Sequence, residues 1–220
     1  MYKNGHRGLS LFLSAPIVAV LVSYELGVLA LVFVVSVFSM PSIPDIDIHL
    51  QEYTPITHRG ITHTVWFAMF FGVLYAGFVF GGMIYFGIEE VLTYTTVSLW
   101  EVLAFSWFTG FCVIMFHILG DVITPMGVKV FSRDNRGGFS LNFVLAKNRI
   151  ANETSIVIGL LSLVFVAVLT QYPHLHYLQS LPSVLIFCVG YVGLFGLWLF
   201  ISTTRVGKFF YRIFSKLTDF

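Results

Sequence analysis

The residues that could do chemistry in this chain fall in three short stretches. PSIPDIDIHL carries Asp45, Asp47 and His49, THRGITHTVW carries His58, Arg59 and His63, and FHILGDVITPMG carries His117 and Asp121. In the first stretch Pro41 and Pro44 interrupt the preceding helix and predict an extended run. There Asp45, Asp47 and His49 share one face, with Ile46 and Ile48 opposite. Two carboxylates and an imidazole on one edge suit a hard or borderline divalent cation. The same residues would also make a solvated turn with helix-capping aspartates. In the second stretch His58 and His63 bracket Gly60, and a turn at that glycine lets both face one site. Free N–H groups at a helix start, with Arg59 beside them, favour an anion such as a phosphate group. Arg59 as a simple anchor at the membrane edge is the competing reading. In the third stretch a helix stacks His117 and Asp121 on one face, four residues apart. Such a pair holds a metal or makes a structural hydrogen bond. Ionisable residues in an apolar span are costly and face a cavity or a partner.

The elements that must position these residues are greasy. The 220 residues are 57% hydrophobic and only 10% charged, with a mean hydropathy of +0.88, which excludes an ordinary soluble domain. Apolar segments run over Leu9–Ser23, Leu26–Ser39, Ile61–Phe86, Leu99–Ile123, Ser155–Thr170 and Ser183–Ile201. The first two form either a hairpin around Tyr24 and Glu25 or one long helix. The first run is too long for a signal-peptide core and lacks a small-residue cleavage site, so it counts as mature structure. If there are six spans, all 12 Lys and Arg residues lie on one side, which the positive-inside rule makes cytoplasmic. A fused first span would strand Lys3 and Arg7 outside. The expectation is an all-α polytopic membrane protein with about six transmembrane helices and both termini cytoplasmic. Residues 1–202 form one membrane-embedded domain. Residues 203–220 form a basic amphipathic tail on the anionic inner surface, with Arg205, Lys208, Arg212 and Lys216 on one face. Alternating apolar residues around Asp134–Gly138 suggest a small cytoplasmic β-hairpin. Cys112 and Cys188 read as buried apolar residues, since neither belongs to a CxxC pair. A net charge of +1 gives no reason to expect a nucleic-acid partner.

On this topology five of the seven histidines, the DxD and the HxxxD converge at one membrane face. His6 precedes the first span on that side. Asn152 and Glu153 open the fifth, where Glu153 either joins the site or favours the helix N-terminus. His174 and His176 fall on the opposite face as loop residues.

The ordered set of Gly5-His6, Pro44-Asp45-Ile46-Asp47, His58-Arg59-Gly60-Ile61-Thr62-His63, and His117 to Asp121 followed by Thr124-Pro125-Met126-Gly127 resembles the LexA-regulated, membrane-bound, metal-dependent hydrolase family (YdjM-like). The motifs span about residues 5–153, and the last two segments match only as apolar spans. Members are described as hydrolases by likeness to zinc-dependent phospholipase C and nuclease folds. The resemblance implies metal ligands at His6, Asp45, His58, His63, His117 and Asp121, with Glu153 or its neighbour Asn152 less fixed, and Asp47 and His49 as supports or alternative ligands.

The expected protein therefore sits in the cell's plasma or inner membrane with a zinc site, mono- or multinuclear, facing the cytoplasm. It hydrolyses a phosphoester, either a small molecule or a membrane lipid derivative. Asp45 or Asp47 accepts a proton from water, and Arg59 holds a phosphate. A metal-binding or transport protein without hydrolytic activity is the alternative.

Overall fold

The computed structural model describes residues 1–87, 98–131, 138–171, 181–204 and 209. The tip of the expected β-hairpin, His174, His176 and nearly all of the C-terminal tail lie outside the described residues. Seven α-helices are labelled in chain order: α1 (Lys3–Ser23), α2 (Gly27–Ser39), α3 (Asp47–Leu50), α4 (Val65–Tyr85), α5 (Leu99–Val122), α6 (Arg149–Gln171) and α7 (Leu181–Thr203). Among the described residues, six helical segments are long and apolar enough to cross a membrane, the second being counted from Gly27 through Leu50. Their large apolar residues face outward as well as inward. Val28 and Leu31 on α2, Phe78 on α4 and Val189 on α7 are 64–77% exposed, a surface that suits lipid rather than water.

The first two apolar runs are separate helices. Glu25 adopts φ 61°, and the Leu26 N–H bonds back to the Leu21 carbonyl, so the chain reverses at once into α2. α1 is the hub. It packs most extensively on α6 and also touches α2 and α5, while α4 pairs with α5 and α6 with α7. One apolar cluster, with Phe33, Val113, Ile114 and Ile118, lies on the α2 and α5 side of α1. A second, with Leu9, Phe12, Ile158 and Trp198, lies toward α6 and α7. α1 can approach α6 closely because a Cβ at Gly8 would stand 2.2 Å from the Ser155 backbone. Pro16 lies inside α1 and has no N–H for the Phe12 carbonyl. The Tyr191 hydroxyl of α7 donates to that carbonyl instead, at 2.9 Å. α1 therefore keeps its backbone satisfied inside an apolar bundle.

Two local expectations are corrected. Residues 44–50 are not extended: Pro44–Ile46 is a 3₁₀ turn that runs into α3. Pro44 takes the first helical position, where its fixed φ is compatible and its missing N–H is not needed, and Asp45 and Asp47 occupy first turns. Of the expected β-hairpin, whose tip lies outside the described residues, the described residues hold one antiparallel bridge, between Val128 and Phe139. Beyond it the chain leaves the ladder, and the N–H groups of Leu141, Phe143 and Val144 bond to the carbonyls of Val122 and Ile123 at the end of α5. Cys112 is buried as expected, whereas Cys188 is exposed on α7.

Candidate metal centre

The start of α1, the end of α2, the start of α4, the end of α5 and the start of α6 meet at one end of the bundle. His6 comes from the first turn of α1, and His117 and Asp121 from the last turns of α5. Asp45 and Asp47 follow α2. His63 ends a second 3₁₀ turn, Ile61–His63, that leads into α4. His6, Asp47, His63, His117 and Asp121 are at most 1% exposed.

Four acceptor atoms converge there. His63 Nε2 lies 3.1 Å from His117 Nε2, 3.6 Å from Asp45 Oδ1 and 3.5 Å from Asp121 Oδ2. His117 Nε2 lies 3.4 Å from Asp45 Oδ1 and 3.6 Å from Asp121 Oδ2. The partners of the other ring nitrogens assign the tautomers. His117 Nδ1 is 2.5 Å from the Pro41 carbonyl, which can only accept, so Nδ1 carries the proton. His63 Nδ1 faces Asp47 Oδ2 at 3.3 Å and Thr62 Oγ1 at 3.0 Å. The Thr62 hydroxyl gives its own proton to Asp47 at 2.5 Å, so its oxygen accepts from His63. With both imidazoles neutral, the Nε2 lone pairs face each other and two carboxylate oxygens. Groups crowded and buried in this way are satisfied by a cation between them or by a proton on one Nε2. Metal–ligand bonds of about 2.0–2.1 Å give a tetrahedral edge of about 3.3 Å, and the three distances that join His63 Nε2, His117 Nε2 and Asp121 Oδ2 bracket that value.

The possible ligands also form two adjacent triads, His6–His117–Asp121 and Asp45–His58–His63, each with its donor atoms within 4.8 Å. The His6 ring stacks on His117 at 3.8 Å between centroids, its Nε2 is 3.5 Å from Asp121 Oδ1, and its Nδ1 is buried without a hydrogen-bond partner. The donor set therefore fits one ion or two.

The remaining candidates surround this core. Asp47 is fully buried behind it, accepting from His58 Nδ1 at 2.8 Å and from the Arg59 N–H at 3.0 Å in addition to Thr62 and His63. Arg59 takes a left-handed φ of 60°. Its guanidinium donates to Asp121 Oδ1 at 2.8 Å and to the Gly127 carbonyl at 3.0 Å. Gly127 holds φ 58° with a Cβ position 2.4 Å from the Phe139 carbonyl, so only glycine presents that acceptor without strain. Glu153 pairs with Arg149 at 2.6 Å, outside both triads. His49 lies beside the site, on a groove described below.

Sequence reasoning missed several supports. The Met1 amine donates to Asp121 Oδ1 at 2.9 Å. Asn152 Oδ1 accepts the Tyr2 N–H at 2.9 Å, while its amide donates to the carbonyls of Ala146 and Asn148. This tether holds the first turn of α1, and with it His6, against α6. The carbonyls of Pro41 and Gly127 carry no side-chain signal at all. Thr62 could have been found as a hydroxyl next to a candidate ligand.

Searches of curated proteins and of solved structures return no match. The family described as YdjM inner membrane protein matches residues 1–199, which include every residue of both triads and most of all six apolar helices. The chain, a helical membrane protein with His and Asp groups suited to a metal, belongs to the YdjM inner membrane protein family.

Proposed function

We propose that this protein is a membrane-bound, metal-dependent phosphoester hydrolase whose site holds zinc at the cytoplasmic face. The observation that carries the reading is the convergence of His63 Nε2, His117 Nε2 and Asp121 Oδ2 as three possible ligands, with Asp45 Oδ1 beside both imidazoles on the side left open for water. Two imidazoles and a carboxylate match borderline-soft zinc better than calcium or magnesium, which take oxygen ligands. The cytoplasmic assignment rests on the Lys and Arg distribution.

Zinc supplies a Lewis acid and lowers the pKa of water. The protein supplies the rest. The Asp45 side chain is 27% exposed, so it meets solvent and can accept a proton from the attacking water. Asp47 never meets solvent and instead holds His58 and His63 in orientation. Arg59 neutralises Asp121 and adds positive charge beside the position a phosphate would take.

The rival reading is a metal-binding or transport protein without hydrolytic activity. A transporter places its ligands near the bilayer midplane, often at broken helices. Here they sit at helix ends, which favours an interfacial enzyme. The test is cleavage of p-nitrophenyl phosphate and bis-p-nitrophenyl phosphate by the purified, zinc-loaded protein. Turnover is expected to vanish with chelator and return with zinc. Stoichiometric zinc with no cleavage of either ester contradicts the hydrolase reading and favours the binding protein.

A further inference from the structure

The converging groups are not equally reachable. His63, His117 and Asp121 side chains are 0–2% exposed, whereas Asp45 is 27% exposed. A substrate can reach the centre past Asp45, as it can past His58, whose side chain is 33% exposed. A groove of about 440 Å³ opens at Asp45, between the start of α1 and the end of α2. Its polar lining includes Lys3, Asp45 and His49 beside two serines, and its apolar lining includes Ile43, Ile46 and Ile48. Ile46 and Ile48 are 50% and 41% exposed at the same end of the bundle as the buried His and Asp groups. The volume suits a headgroup and the first part of a chain rather than a bare ion.

Two features identify the occupant. The first is charge. Lys3 lines the groove, and Arg7 follows one turn later on the same face of α1. Its guanidinium lies 5.3 Å over the Phe38 ring at the end of α2, and its Nε is buried without a hydrogen-bond partner. The second is continuity with the lipid-facing surface. Ser39 of the groove ends α2 and Met40 follows it, and the outward residues Leu31, Val35 and Phe38 of α2 are 38–64% exposed. A ligand seated here meets cations at one end and bilayer hydrocarbon at the other.

We propose that the groove binds a phosphate-bearing lipid, and that the substrate is a lipid phosphomonoester. The phosphate lies between Lys3 and the Asp45 side of the centre, and the apolar stem lies on Ile43, Ile46 and Ile48. The word substrate rests on the hydrolase reading; the binding does not. In the reaction the water oxygen forms a bond to phosphorus and the bond from phosphorus to the lipid oxygen breaks. Asp45 takes the water's proton and returns it to the leaving alkoxide, giving a lipid alcohol and inorganic phosphate.

The experiment measures binding of dihexanoyl phosphatidic acid, dihexanoyl glycerol and inorganic phosphate to the zinc-loaded full chain in phosphatidylcholine nanodiscs. Phosphatidic acid is expected to bind at least about tenfold tighter than either fragment. Lys3→Gln, Ile46→Ala and Ile46→Glu are each expected to weaken it, with zinc content reporting that the variants still fold. Phosphatidic acid bound no tighter than inorganic phosphate, or all three variants binding it like the wild type, overturns the groove assignment. Chelator-sensitive cleavage of p-nitrophenyl esters would then leave the hydrolase reading standing. Tight, Lys3-dependent and Ile46-dependent binding without cleavage of any ester supports the groove and removes only the hydrolase reading.

Discussion

Asp121→Asn is expected to strip the protein of zinc and to lower its thermal stability in detergent. Asp121 serves both sides of the centre. Its Oδ2 faces His63 and His117 at 3.5 and 3.6 Å. Its Oδ1 takes Arg59 at 2.8 Å, the Met1 amine at 2.9 Å and His6 at 3.5 Å. The amide removes the charge and turns one of these acceptors into a donor. If the amide nitrogen faces the histidines, it replaces a ligand. If it faces Arg59, it opposes a guanidinium and an amine with no counter-charge. Leaving a buried charge unpaired costs about 3–5 kcal/mol, enough to register as a clear drop in the melting temperature. Metal analysis and thermal unfolding of the variant beside the wild type check both effects. Full zinc occupancy in Asp121→Asn would remove Asp121 from the ligand set.

The second large effect is expected at Asp47, and it differs in kind. Asp47 faces the Nδ1 atoms of His58 and His63, not the Nε2 cluster, and accepts from four donors. Asp47→Asn keeps one acceptor oxygen and sets an N–H against donors on the other side. Loss of such an outer partner typically lowers metal affinity about 10–100-fold. Zinc is therefore expected to bind at saturation but to yield to a competing chelator at lower concentration than in the wild type. The contrast separates ligand from support: occupancy falls in Asp121→Asn, affinity in Asp47→Asn. An unchanged chelator titration in Asp47→Asn would show that the Nδ1 contacts do not tune the site.

The different fates of Asp45 and Asp47 also show where sequence reading stopped. Both aspartates were visible as candidates. In an extended chain, residues two apart share a face. In a helical turn they diverge by about 200–240°. Because Pro44 starts a helical turn, Asp45 reaches the Nε2 side and Asp47 the Nδ1 side. The spacing of His117 and Asp121 was easier, since a long apolar run fixes the helix and the four-residue step then stacks the pair. The six apolar helices were legible for a similar reason: a bilayer demands about 20 consecutive apolar residues, a signal stronger than any local propensity. Less legible was the short chain between Pro41 and His63, where the fold rests on side chain-to-backbone bonds such as His117 to the Pro41 carbonyl and the Arg59 N–H to Asp47. Carbonyl acceptors look alike in every sequence, so neither the tautomer of His117 nor the anchor of Arg59 could be read in advance. The role of Asn152 was hidden because a tether to the Tyr2 N–H depends on α1 and α6 being neighbours, a long-range fact.

The central claim is that His63, His117 and Asp121 hold a metal, and the most direct measurement is the metal content of the wild-type protein. The chain is purified in mild detergent without chelator, passed through gel filtration with zinc present and then without, and analysed by elemental mass spectrometry. The account predicts zinc at about one or two ions per chain, as the converging donors and the paired triads allow. A fully folded wild-type protein that retains no zinc or other divalent metal after loading would contradict it.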